Sequence, residues 1–332
     1  MTTQTPVSAK VERLLPYMRN LGMLTALLIA LLVLGLRSPG YLTLSNFLVV
    51  AQQMAFIGIV ALGMTHLVIT GYLDLSIGSL FALCAVTAAF CAKSVPPIVA
   101  LGLGIGVGGL VGWINGALVW RIKLSPIIIT LGTLSILRGL VLLLTGGFQV
   151  RGVPKEFAEL TQGNLLGVPM PVCVMLALAA VAYFVLKQTT LGRHSYAIGG
   201  NREACMTVGI PVRRLVLGSF ALNGCIVGLS GALAASRFGS ASPSFGVGME
   251  LDAITAVILG GVSLNGGEGN VPGVLLAVAL IGVINSGIVA LGIDPHYADI
   301  AKGIALLVAV GLDQLSLEAR ERYRKLLARR ER

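Results

Sequence analysis

The stretch Lys187–Leu215, KQTTLGRHSYAIGGNREACMTVGIPVRRL, is a polar island between two apolar runs long enough to cross a bilayer. It carries five basic residues, Lys187, Arg193, Arg202, Arg213 and Arg214. Charge concentrated between two spans marks a loop outside the membrane, where a soluble partner meets the chain. Asn201 is suited to accept a hydrogen bond from the free N–H groups of a following turn. Glu203 suits the positive end of that turn's dipole, and Gly209 then Pro211 stop it. This pattern predicts one exposed helix over residues 202–208, about two turns long.

Working outward, 56% of the 332 residues are hydrophobic and 11% are charged, against roughly 25% charged in an ordinary soluble domain. The chain is therefore read as an all-α integral membrane protein. Its net charge of +10 does not mark a nucleic-acid binder, because the basic residues lie between or after apolar runs rather than beside aromatics on a soluble fold. Ten spans are predicted, near 21–36, 48–70, 75–92, 97–120, 126–146, 169–186, 214–236, 252–264, 271–291 and 297–312. With the amino terminus inside, the cytoplasmic segments hold 17 Lys and Arg and the outer segments 5. That excess predicts both termini and the island in the cytoplasm. The expected organisation is a basic tail over 1–20, a transmembrane domain over 21–312 with the island at 187–215 inside it, and a second basic tail over 313–332. Leu36-Arg37-Ser38-Pro39-Gly40 offers no small-residue cleavage site, so the first span is expected to remain.

The island resembles the docking loop of permease subunits of ATP-binding-cassette importers, which carries a Glu-Ala-Ala…Gly motif. It is most similar to the sugar-import branch, where this region reads Gly-Arg-x-x-x-Ala-x-Gly-Gly-Asn-x-x-Ala-Ala…Gly-Ile. Gly192, Arg193, Ala197, Gly199, Gly200, Asn201, Ala204, Gly209 and Ile210 fit, while Cys205 replaces an alanine. The resemblance implies that Gly192, Arg193, Asn201, Glu203, Ala204, Cys205, Gly209 and Ile210 form a cytoplasmic coupling helix and its supports.

Two further motifs extend the likeness over about residues 45–315. Val68-Ile69-Thr70-Gly71-Tyr72-Leu73-Asp74-Leu75-Ser76-Ile77-Gly78 resembles the signature Gly-Gly-Ile-Asp-Leu-Ser-Val-Gly, with Tyr72 in place of the second glycine. Read from its residues, this is either a tight hairpin closed by Gly71 and capped by Asp74, or a broken helix lining the permeation path. Gly260, Gly261, Ser263, Leu264, Gly266, Gly267 and Gly269 fit a second signature, Gly-Gly-x-Ser-Leu-x-Gly-Gly-x-Gly. At a constant offset of 189, residues 257–267 repeat five identities of residues 68–78. The offset predicts two broken helices at equivalent depth. A translocation path or gate is accordingly expected at Gly71, Tyr72, Asp74, Ser76, Gly78, Asn115, Asn223, Gly260, Ser263, Gly266 and Gly267.

The remaining features are read locally. Gly104, Gly108, Gly112 and Gly116 make a smooth face for close helix packing, as do Gly224, Gly228 and Gly231 beside Asn223. Asn115 and Trp113 either touch a polar solute or bond between helices. The segment 147–168, with Arg151, Lys155, Glu156 and Glu159, is either a solvated loop or the outer contact for a solute-binding protein. Residues 239–252 read as an irregular outer segment whose Glu250 and Asp252 cap the next helix or meet a partner. Asp299 and Lys302 are spaced to pair on a helix, and Ser316–Arg332 to form a basic surface helix near anionic lipid.

No Gly-x-x-x-x-Gly-Lys-Ser/Thr loop is present, so ATP would be used by a separate ATPase and no cofactor is assigned to this chain. Cys84, Cys91, Cys173, Cys205 and Cys225 are scattered, and His66, His194 and His296 lie far apart. Neither set has metal spacing, and no nucleophile has a base beside it. The resemblance implies a polytopic bundle in the bacterial inner membrane that imports a monosaccharide or similar polyol. Its partners would be an ATPase, a periplasmic or lipid-anchored solute-binding protein, a second permease copy or homologue, and lipid. The rivals are a sibling importer for branched-chain amino acids or metal chelates, and an ion-coupled transporter using Asp74.

Overall fold

Proline sets the start of four long helices, where its missing N–H costs nothing and its fixed φ suits the first turn. In the computed structural model, which describes residues 6–294, 296–308 and 310–311 with side-chain burial from residue 20, the chain is almost entirely helical. The order is α1 (Pro6–Arg37), α2 (Leu44–Ile69), α3 (Ile77–Cys91), α4 (Pro97–Ile122), α5 (Pro126–Thr145), α6 (Lys155–Gln162), β1 (Asn164–Leu165), β2 (Val168–Pro169) and α7 (Met170–Gln188). There follow α8 (Thr190–Gly200), α9 (Arg202–Thr207), α10 (Val212–Phe238), α11 (Met249–Leu259), α12 (Val271–Ala290) and α13 (296–308).

Every predicted span has its helix. Seven described helices are long and apolar enough to cross a membrane, whereas α3 and α11, at 15 and 11 residues, are too short; α13 runs into residues outside those described. α11 stops at Leu259, five residues before the predicted limit, because Gly261 takes a left-handed φ of +87°. The tail helix expected over 316–332 lies outside the described residues.

α2, α3 and α10 form the buried centre, with Ile59, Met64, Leu80, Val86 and Phe220 fully enclosed. The glycine stripe of α4 packs on α10 as its spacing predicts. A Cβ on Gly108 would meet the Gly224 carbonyl and lie 3.0 Å from the Gly228 Cα, and one on Gly112 would strike the Phe220 carbonyl. Backbone carbonyls cannot yield as flexible side chains do. Gly112→Val is therefore expected to destabilise the bundle by about 1–3 kcal/mol or more. A melting curve of the detergent-solubilised variant that overlays wild type would refute this close-packing account.

Three sequence expectations need correction. The segment 147–168 is not a free loop: α6 docks on α10, with Phe157 fully buried and Ser236 Oγ bonded to the Phe157 carbonyl and to Thr161 Oγ1 at 2.7 Å. It continues into a hairpin turned by Leu166 and Gly167, both at positive φ. The mixed charges, which dominate the reading of this segment, lie on its exposed side.

Residues 239–252 do not stay at that end of the bundle. Val150 and Ala241 bridge at the rim, and the Arg138 Nη1 then donates to the Pro243 and Phe245 carbonyls. Gly246 ends in backbone contact with Gly78 at the start of α3. The segment thus folds back into the bundle and delivers the short α11.

Finally, the expected capping of α11 holds for Glu250 alone: the N-cap is Gly248, and the Glu250 carboxylate in the first turn accepts from the backbone N–H groups of Gly248 and Glu250. Asp252 instead holds Lys302 Nζ at 2.8 Å, while Asp299 takes the same ammonium at 2.9 Å, so the expected Asp299–Lys302 pair gains a second carboxylate. Glu250 packs at Gly78.

Candidate coupling and gating site

α9 begins where the sequence places it. Asn201 Oδ1 accepts from the Ala204 N–H at 2.9 Å, Glu203 sits in the first turn, and Gly209 closes the end at φ +81°. Its outer side is bare, with Glu203 and Ala204 exposed and Met206 and Val208 47% and 74% exposed. One residue turns inward. Cys205, at which the docking motif departs from alanine, is buried among Leu67, Tyr72, Ile198, Val216 and Phe220. The Arg202 guanidinium lies over the Trp120 ring, 4.7 Å from its centroid, and braces the other side.

The sequence reading missed the helix before it. Thr189 caps α8 by accepting from the Gly192 N–H at 3.3 Å, and Gly192 makes the tight elbow with α7, where a Cβ would strike the backbone of Val185 and Leu186. Arg193 is exposed on α8. Three glycines in eleven residues masked this helix, because each lowers intrinsic helix propensity.

α8 ends against both predicted breaks. A Cβ on Gly199 would collide with the Ile69 carbonyl and the Gly267 nitrogen, and one on Gly266 would lie 2.9 Å from the Cα atoms of Gly199 and Gly71. The Gly267 N–H donates to the Ile69 carbonyl at 2.9 Å, joining the end of α2 to the loop after α11. Tyr196 donates to the Gly269 carbonyl at 2.9 Å, and Ser195 Oγ meets His66 Nε2 at 3.0 Å. Two residues before Asn201, backbone therefore packs on backbone from three directions. His66, Ser195 and Tyr196 were not among the sequence candidates, and no motif marks them.

The two breaks are the same turn. Gly71 N bonds the Val68 carbonyl and Tyr72 N the Leu67 carbonyl, while Gly261 N bonds Ile258 and Val262 N bonds Val257. Both carry a left-handed glycine. The structural offset is 190 rather than 189, because the shared geometry follows the left-handed residue and not the best letter match. Gly260 falls one place earlier, packed so closely on α12 that a Cβ would lie 2.5 Å from the Val274 Cα. Ser263 closes the following turn by accepting from Gly266 N at 3.0 Å.

Asp74 does not cap α3. Its Oδ1 accepts from the Ser76 N–H at 2.9 Å and from Ser76 Oγ at 2.6 Å, a turn one step ahead of the helix. Asn223 Nδ2 donates to the other oxygen at 3.3 Å, Asn115 Nδ2 to Ser76 Oγ at 3.0 Å, and Thr133 Oγ1 to Asn115 Oδ1 at 2.8 Å. Asp74, Ser76, Asn115 and Asn223 are all fully buried, so in this conformation they join helices and line no open path. Trp113 lies apart, half exposed, and Gly78 meets Gly246 rather than Gly71. Asn223 is eleven residues into α10, which places this network about 16 Å from the α9 end.

A multi-pass bundle with two broken helices locked together beside a short exposed helix has the construction of a membrane transport permease. Residues 46–310 match the family described as branched-chain amino acid transport system / permease component, and the chain belongs to that family. It is 39% identical over 300 residues to the ribose import permease protein RbsC of Bacillus subtilis, covering 90% of this chain and 93% of that one. Escherichia coli RbsC is 36% identical over 318 residues, covering 94% and 99%. The D-allose transport system permease protein AlsC of Escherichia coli is 35% identical over 297 residues, covering 89% and 91%.

Proposed function

We propose that this chain is the permease subunit of a bacterial inner-membrane ATP-binding-cassette importer for a monosaccharide, with both termini and α9 in the cytoplasm. The observation that carries the coupling role is the geometry of Gly199. The exposed α9 follows directly on a helix end wedged between the two broken loops, so a push on α9 reaches both breaks through backbone. A separate ATPase supplies the force by gripping α9 differently in its two nucleotide states. A solute-binding protein presents sugar at the opposite end, and a second permease, identical or homologous, completes the path. ATP is used by the partner, and this chain carries no cofactor. The sugar assignment rests on relatives named for ribose import and D-allose transport across nearly their whole length, which outweighs the wider family's amino-acid description.

The test is copurification from the native membrane, wild type against Glu203→Arg, with partners identified by mass spectrometry. Glu203 is exposed, so its replacement should leave the bundle intact. An ATPase held by wild type and lost from the variant is the expected result. An ATPase retained equally by both would remove α9 as the docking element. A wild-type preparation carrying none would sink the importer reading itself.

A further inference from the structure

At the end away from α9, the bundle carries polar side chains where a lipid-facing surface should be apolar. A cavity of about 590 Å³ is lined by Asn46 and Gln53 of α2, Asn285 and Ser286 of α12, and Asp299 and Lys302 of α13. A second, of about 340 Å³, shares Asp299 and Lys302 and continues to Asp252 and Thr255 on α11. The two make one furrow. Gln53 lies about 14 Å below the start of α2 and Asn285 about 8 Å below the end of α12, both within hydrocarbon depth. Tyr41 Oη, bonded to Ser286 Oγ at 2.6 Å, fixes these two helix ends at the same level.

Lipid does not fill such a surface. Gln53 is exposed, and the Asn285 Oδ1 is shielded from solvent with no hydrogen-bond partner among the described residues. Amide groups in hydrocarbon are costly unless they face water or a polar ligand. Val49 and Val289 line the same cavity beside the amides, whereas Ile300 and Ile304 of α13 lie outside both cavities and are apolar and more than half exposed, as lipid contacts should be. The furrow's lower end is equally informative. Asp252 is eight residues before Gly260, about 12 Å above the turn that opens the second break.

We propose that this furrow is the water-filled route of the solute through the outer half of the membrane, a transit site for a small neutral polyhydroxylated molecule, closed below by the contact of Gly71, Gly199 and Gly266. Neutral amides and hydroxyls match the alternating donors and acceptors of such a molecule. Lys302 is held by two carboxylates, so the charged cluster is net negative and disfavours phosphorylated or carboxylated solutes. The furrow opens sideways, and the second permease proposed above supplies its other wall. The identity of the solute rests on the importer reading; the presence of water does not.

The experiment has two arms. Single cysteines at Gln53 and Asn285 are treated in intact membranes with a charged, membrane-impermeant thiol reagent, with Ile300→Cys and Ile304→Cys, outside both cavities, as lipid-facing controls and wild type as background. Labelling at the first pair only is expected. Labelling no greater than at the controls overturns the proposal. In the second arm, Gln53→Leu with Asn285→Leu in the assembled importer is expected to cut uptake by about tenfold, the weight of one lost hydrogen bond to the solute in transit. ATP hydrolysis stimulated by the binding protein should persist. Wild-type uptake in that variant also overturns it. Failure of the importer reading would look different, as a wild-type protein that binds no ATPase while its furrow is still labelled.

Discussion

Gly199→Val is expected to lower ATP-driven uptake by about a hundredfold, the upper range of a coupling free energy between two sites, with the ATPase still bound. Valine at this place drives its side chain into the Ile69 carbonyl and the Gly267 nitrogen, so the ends of α2 and α8 and the loop after α11 must part. α9, three residues on, keeps its Asn201 cap and its Cys205 anchor. Docking therefore survives while the thrust from α9 no longer reaches the two breaks in register. Gly200→Ala is the paired control. A Cβ there meets nothing within 4 Å, and alanine favours the last turn of α8. Its uptake should match wild type. The measurement is uptake and stimulated ATP hydrolysis in the same proteoliposomes. If Gly199→Val transports normally, the backbone contact is incidental and coupling runs elsewhere.

That pair also marks how far the sequence could be read. Gly199 and Gly200 are equal members of the Gly-Gly-Asn wording, and nothing in their order says that one is wedged and the other open. Long helices were legible because a bilayer demands continuous apolar runs, and α9 because Asn201, Gly209 and Pro211 are local signals that act within a few residues. What escaped depends on residues far apart in the chain. Asp252 resembles a helix cap until Lys302, fifty residues on, is seen to hold it. The descent of residues 239–248 follows from Arg138 and Gly78, neither of which has any sequence relation to it. Asp74, Ser76, Asn115 and Asn223 were each singled out, but polarity in a span has the same signature whether it lines a path or ties helices together.

The buried carboxylate gives the second large effect. Asp74→Leu strands the Ser76 hydroxyl and the Asn223 amide in a fully buried site, at about 1–3 kcal/mol for each unsatisfied group. The variant should melt earlier and lose most of its uptake. Asp74→Asn is predicted to behave oppositely. Its oxygen can still accept from the Ser76 N–H and hydroxyl. Its new amide then faces the Asn223 amide, donor against donor, unless one of them turns over. Asn223 can turn, because its own Oδ1 is buried without a partner and would receive the new donor. Uptake by Asp74→Asn should stay within about fivefold of wild type, the scale of one net hydrogen bond. An ion-coupled transporter that loads a proton or sodium ion on Asp74 predicts the reverse, since an amide neither titrates nor carries charge. Uptake as dead in Asp74→Asn as in Asp74→Leu would therefore turn Asp74 from a structural tie into a working carboxylate. Retention in the first and loss in the second would fix its role as the acceptor around which α3, α4 and α10 are joined.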